Sequence, residues 1–87
     1  MIEPSIQGLV DQAVADLAKR LDIDASSITT VSAAAVVWPD GSVGCPRPGL
    51  LYPQVRVDGA LIVLSAGGET YRYHSGGSRS LFLCTAR

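Results

Sequence analysis

Between residues 52 and 84 apolar and polar side chains alternate, and two dipeptides that favour tight chain reversal, Asp58-Gly59 and Gly67-Gly68, interrupt the alternation. Alternation of this kind belongs to strands with one buried face, because successive side chains leave the backbone on opposite sides. Asp-Gly and Gly-Gly supply the positive φ that two-residue hairpins of the primed types require. The spacing predicts strands over residues 52–57, 60–66, 69–74 and 80–84. Closing the first turn pairs Val57 with Ala60 and Val55 with Ile62. Closing the second pairs Ala66 with Glu69, Leu64 with Tyr71 and Ile62 with Tyr73. One face then collects Val55, Val57, Ile62, Leu64, Tyr71 and Tyr73. The other takes Gln54, Arg56, Ser65, Thr70, Arg72 and His74, with Leu61 and Val63 among them. Two turns read separately select one core face, which leaves little freedom of register. Ser75-Gly76-Gly77-Ser78 reads as a looser connection into a last strand that carries Phe82 and Cys84 inward.

A meander with one oily side needs a cover, and the N-terminal residues supply it. Over residues 5–21 the apolar positions Ile6, Leu9, Val10, Ala13, Val14, Leu17, Ala18 and Leu21 recur in steps of three and four, the stripe of an amphipathic helix. Pro4 suits a first turn and Glu3 the positive helix end, while Lys19 and Arg20 suit the other. Gly8 is the weak point, at about 1 kcal/mol relative to Ala. Asp22-Ile23-Asp24-Ala25-Ser26-Ser27 reads as a turn in which Asp24 caps a short helical turn. Residues 28–38 then read as a strand, with Ala33-Ala34-Ala35 small enough to let the helix pack closely. At 87 residues the chain is one domain, residues 1–87, since neither half would bury a core alone. The expected class is α+β: an N-terminal amphipathic helix packed on an antiparallel β-meander of four to five strands.

Residues 39–53 fit neither period. They hold four of the five prolines and three of the nine glycines, so regular structure cannot run through them, and they read as an ordered excursion. Prolines on both sides of Arg47 stiffen this loop, and Trp38, Leu50, Leu51 and Tyr52 could give it an apolar, aromatic contact patch. The same residues also fit a loop whose prolines end strands and whose leucines and tryptophan fill one end of the core. Cys45 lies in the loop and Cys84 in the last strand. They read either as a disulfide anchoring the loop or as two buried thiols in a reducing compartment.

Several function classes are disfavoured. Net charge is −1 and the seven Lys and Arg are scattered, so no basic field attracts nucleic acid. The longest apolar stretch is far short of a membrane span, so no membrane insertion is expected. Two cysteines without a Cys-x-x-Cys pair, plus one histidine, cannot complete a structural zinc site, and no cofactor is expected. Asp22 with Asp24, and Asp40 with Asp58, are turn residues rather than a carboxylate pair, and the glycine pairs do not precede helices as a phosphate cradle requires. His74 lies beside Ser75, but strand neighbours point to opposite faces and no carboxylate orients the ring. Charged residues make up 17% of the chain against 47% hydrophobic, a poverty of charge that hints at an exterior covered by self-association or a protein partner.

The run Trp38-Pro39-Asp40-Gly41-Ser42-Val43-Gly44-Cys45-Pro46-Arg47-Pro48-Gly49, followed by Tyr52-Pro53-Gln54, resembles a family of small uncharacterised bacterial proteins sharing Trp-x-Asp-Gly-Ser-x-Gly-Cys-Pro-x-Pro-Gly. Val57-Asp58-Gly59, Tyr71-x-Tyr73-His74 and the terminal Leu83-Cys84 are similar too. The resemblance implies a common fold with both cysteines placed as here, and it carries no activity. Three readings follow. The first is a non-enzymatic binding or accessory module contacting a protein partner through Trp38, Arg47, Leu50, Leu51 and Tyr52. The second is a protease inhibitor presenting Arg47. The third is a small-ligand carrier or enzyme using Tyr71, Tyr73 and His74. Met1-Ile2-Glu3-Pro4 lacks the basic start and apolar run of a leader. The compartment is thus cytoplasmic if Met1 is the native start, and extracytoplasmic if a leader has been removed.

Overall fold

In the computed structural model, residues 4–84 are described. Glu3 and the leader question at Met1-Ile2-Glu3 lie outside them. Helix α1 spans Pro4–Leu21 and presents the expected stripe, with Ala13 and Leu17 fully buried and Leu9, Val10 and Val14 packed beside them. It ends where Asp22 turns left-handed (φ 54°) and the Ile23 N–H reaches back to the Ala18 carbonyl at 3.0 Å, the six-to-one closure of a helix C-terminus. Asp24 then caps a single 3₁₀ turn, Ala25–Ser27, by accepting from the Ser26 N–H at 3.0 Å.

Four strands follow: β1 Thr29–Trp38, β2 Val57–Ala66, β3 Glu69–Gly76 and β4 Arg79–Leu83. They form one antiparallel sheet in the order β1-β2-β3-β4, with α1 on one face. The Gly67-Gly68 hairpin stands as read: Ala66 opposes Glu69, Leu64 opposes Tyr71 and Ile62 opposes Tyr73. Ile62, Leu64 and Tyr73 are the largest fully buried side chains of the sheet on the helix side, and Ala33, Tyr71, Leu81 and Leu83 pack around them.

Asp58-Gly59 is not a turn. Both residues lie inside β2, where Asp58 opposes Val37 and Gly59 opposes Val36. Val57 pairs with Trp38 rather than Ala60, no strand forms over residues 52–56, and Val55 is 58% exposed. The sheet has four strands, and Val57 falls on the face away from the helix. The glycine answers a different need. A Cβ on Gly59 would stand 1.9 Å from the Ser75 carbonyl and 2.6 Å from the Trp38 indole nitrogen, so glycine admits a close approach inside a strand. Two smaller corrections concern β4. Gly77 (φ 57°) makes the Gly76–Arg79 reversal tight, with a register shift between His74 and Gly76 in place of a loose connection. Phe82 opposes His74 on the far face, and the residues β4 turns toward the helix are Leu81 and Leu83.

Helix and sheet are also joined through polar groups. The Tyr73 hydroxyl donates to the Asp16 carboxylate at 2.6 Å, which also accepts from Arg20 Nε at 2.6 Å. These two donors hold the Asp16 carboxyl below its ordinary value of 3.8, while burial and the same carboxylate push the Tyr73 phenol well above its ordinary value of 10.0. The signs give a window. Asp16, lowered on folding, contributes stability above its unfolded value that is lost as pH falls through the folded one. Tyr73, raised on folding, contributes stability below pH 10.0 that is lost as pH climbs above it. Tyr73→Phe should flatten both limbs of a plot of urea midpoint against pH. A variant keeping the wild-type slope at both ends would show that the contact is not made in solution.

Candidate functional site

The second face of the sheet carries a polar stretch, as the alternation predicts, but one end of it is a second small core. Trp38, the last residue of β1, lies flat there. Its indole N–H donates to the Ser75 carbonyl at 2.8 Å, and its ring stacks on His74 with centroids 4.8 Å apart and planes 5° from parallel. Glycines make the room. A Cβ on Gly44 would fall 2.2 Å from the indole, one on Gly59 2.6 Å, and one on Gly76 3.0 Å. Phe82 follows in a tilted contact with His74, and the Arg79 guanidinium covers Phe82 at 3.8 Å from the ring centroid.

The first half of the loop, residues 39–45, closes over this cluster. Asp40 accepts from the Ser42 N–H at 2.9 Å and from the Ser42 hydroxyl, a local turn that aspartate favours. Val43 and Gly44 both take positive φ, 57° and 73°. For a β-branched residue this conformation is strained, and such strain persists only where its surroundings hold it. Here the surroundings are visible. The Val43 side chain is buried at 2% exposure, and its carbonyl accepts from His74 Nδ1 at 2.8 Å. A carbonyl can only accept, so Nδ1 carries the proton; Nε2 is buried without a hydrogen-bond partner among the described residues. Cys45 is bonded to Cys84 at the end of β4, and the Gly41 N–H donates to the Pro53 carbonyl at 2.9 Å. The loop is thus gripped covalently at one point and by the backbone at its base.

The second half projects. The Leu50 N–H donates to the Arg47 carbonyl at 3.3 Å, with Pro48 and left-handed Gly49 (φ 82°) between them, the arrangement of a type II turn. The Tyr52 hydroxyl accepts from the Arg47 N–H at 3.0 Å and ties the turn from the other side. Leu51 is left 98% exposed and Leu50 56%. Of the residues singled out in the sequence, Arg47, Leu50 and Leu51 lie on the projecting turn and Tyr52 braces it. Trp38 sits apart in the glycine-lined cluster and supports the loop's other half. Tyr73 and His74 leave opposite faces of the sheet, one to Asp16 and the other to Val43.

Sequence reasoning missed the glycine cage and a concavity of about 490 Å³ between the N-terminal half of α1 and the sheet, lined by Ile6, Leu9, Ala35, Ala60, Ser75 and Leu81 among others. It exists because small residues stand in register across the strands, Ala35 opposite Ala60 and Ala60 opposite Ser75. The pattern was present in the sequence, but only the pairing aligns it. Tyr71, Tyr73 and His74 are not among its walls. Among the described residues no group of three or more His, Cys, Asp and Glu could hold a metal ion, and no helix is long and apolar enough to cross a membrane.

A family model described as a domain of unknown function, DUF8738, matches residues 10–84, which hold the helix stripe from Val10 onward, all four strands, the loop and both cysteines. The chain belongs to DUF8738. No curated protein and no solved structure matches it. The match to DUF8738 takes in both halves of the loop, and its description assigns no activity.

Proposed function

We propose that this DUF8738 domain is a non-enzymatic binding module that captures a protein partner on the projecting turn, with Arg47, Leu50 and Leu51 as the contacts, Tyr52 as brace and Trp38 supporting the half of the loop that the turn springs from. One observation carries the reading: Leu51 is 98% exposed on a segment pinned by a disulfide, a backbone hydrogen bond and a prolyl turn. A large apolar side chain held outside the core by so many constraints gains nothing for the isolated fold, whereas a rigid turn loses little entropy on binding. Removing such an anchor from the centre of an interface commonly costs 2 kcal/mol or more, roughly a thirtyfold loss of affinity.

The inhibitor reading, with Arg47 entering a protease cleft, has less support. The Arg47 N–H and carbonyl are both engaged within the turn, and Pro48 follows directly. A substrate-like segment offers an extended backbone to its protease, and this one is folded back on itself.

Arg47→Ala, Leu50→Ser and Leu51→Ser together should abolish partner recovery in pull-downs from the native cell, with the unfolding free energy from urea changed by no more than about 0.5 kcal/mol per substitution, as expected for surface substitutions. Recovery of the same partners by wild type and variant would end the loop reading. Inhibition of a trypsin-like protease at micromolar concentration, lost in Arg47→Ala, would replace it with the second.

A further inference from the structure

The two edges of the sheet differ. The β4 edge is five residues long, carries Arg79, and leads directly into the disulfide at Cys84. Short length and charge are the usual protections of an exposed edge. The β1 edge has neither: ten residues, Thr-Thr-Val-Ser-Ala-Ala-Ala-Val-Val-Trp, with no charge and no proline. Nothing among the described residues lies beyond it in the sheet, and no turn or loop hydrogen bond reaches it. In an antiparallel ladder every second residue turns its N–H and C=O away from its partner strand, so β1 offers a row of unpaired groups along its length. Its one irregularity is a register shift between Thr30 and Ser32 at its start, which leaves residues 32–38 regular.

We infer that β1 is the interface of a symmetric dimer, pairing antiparallel with β1 of a second copy so that two four-stranded sheets join into one of eight. An antiparallel edge is complementary to itself across a two-fold axis, so no second sequence is needed. Charge favours the same occupant, because an uncharged strand meets its own copy with no like charges opposed. The side chains point to a register as well. Ala33, Ala34 and Ala35 stand within the regular residues 32–38, and Val37 beyond them is 59% exposed. With the two-fold at Ala34, Ser32 of one copy opposes Val36 of the other, Ala33 opposes Ala35, and Ala34 opposes itself. Residues 32–36 of each copy then pair without crossing the register shift, and the alanines at the axis leave no bulky side chains to clash across it. The reading does not depend on the loop, which lies beyond the Trp38 end of the strand.

Sedimentation over a dilution series decides it. The wild-type chain should sediment at about twice its 9.1 kDa. Ala34→Lys, which sets two ammonium groups face to face, should raise the dissociation midpoint at least about tenfold. Mixing Ala34→Lys with Ala34→Glu should restore the dimer as a heterodimer. The Leu50→Ser, Leu51→Ser chain should dimerise as wild type does. A wild-type chain that stays monomeric to millimolar concentration overturns the proposal, and so does a dimer indifferent to Ala34→Lys, which would place the contact elsewhere. Should Ala34→Lys fail to fold by circular dichroism, amide exchange of wild-type β1 takes its place. Protection of alternate β1 amides that grows with concentration supports the pairing, and concentration-independent exchange overturns it.

Discussion

Replacing both cysteines, Cys45→Ala with Cys84→Ala, should lower the unfolding free energy by about 4 kcal/mol. The bond closes a segment with a sequence separation of 39, and the chain-entropy model assigns a loop of that length about this value. Small domains hold only about 5–15 kcal/mol in total, so the loss is a large fraction. Its location should be equally informative. The helix-side core of Leu17, Ile62, Leu64 and Tyr73 lies apart from the bond, whereas buried Ser42 and Val43 belong to the loop that the bond anchors and the Trp38–His74 stack lies beneath it. Amide exchange of residues 39–56 should therefore rise more than that of β2 and β3. Urea unfolding of oxidised protein and double variant, followed through the single tryptophan, measures the size. A difference below about 1 kcal/mol would mean that the reduced chain already holds the loop in place, and the covalent anchor would not be what makes the turn rigid. If the anchor is what counts, partner recovery should fall in reductant along with stability.

Trp38→Ala should cost about 3–5 kcal/mol, the range for deleting a large packed aromatic. Three losses combine: the stack on His74, the hydrogen bond to the Ser75 carbonyl, and the volume enclosed by Gly44, Gly59 and Gly76. The three glycines have no side chains to move into that volume. Trp38→Phe keeps an aromatic ring and removes the indole N–H, so it should cost less, with about 1 kcal/mol of the loss belonging to the hydrogen bond. The effects of Trp38→Ala and disulfide removal should not add, since each loosens the same loop from the same face. Equilibrium unfolding followed by far-ultraviolet circular dichroism gives both numbers. A Trp38→Ala chain within 1 kcal/mol of wild type would show that the indole cluster is dispensable, and the support assigned to Trp38 under the first half of the loop would fall with it.

Local chemistry in the sequence was enough to determine several elements. The helix followed from a 3.6-residue stripe of apolar residues, its exit from Asp22 and Asp24, and the Gly67-Gly68 hairpin with its three pairs from alternation on both sides of a dipeptide with few alternatives. The loop residues Arg47, Leu50 and Leu51 were legible because prolines and glycines rule out regular structure wherever they cluster. Asp58-Gly59 misled because Asp-Gly favours reversal only while nothing else claims the flanking residues. In the folded chain β1 claims Val57, Asp58 and Gly59 as strand partners, and the glycine is needed where the Trp38 indole and the Ser75 carbonyl crowd the backbone. That crowding joins residues 37 positions apart, and the half of the loop that is buried is held by contacts 31 and 39 positions apart, Val43 with His74 and Cys45 with Cys84. Periodicity reports what one side chain's neighbours along the chain require. The second core, the groove floored by Ala35, Ala60 and Ser75, and the unprotected β1 edge all depend on which strands meet, and only the tertiary structure decides that.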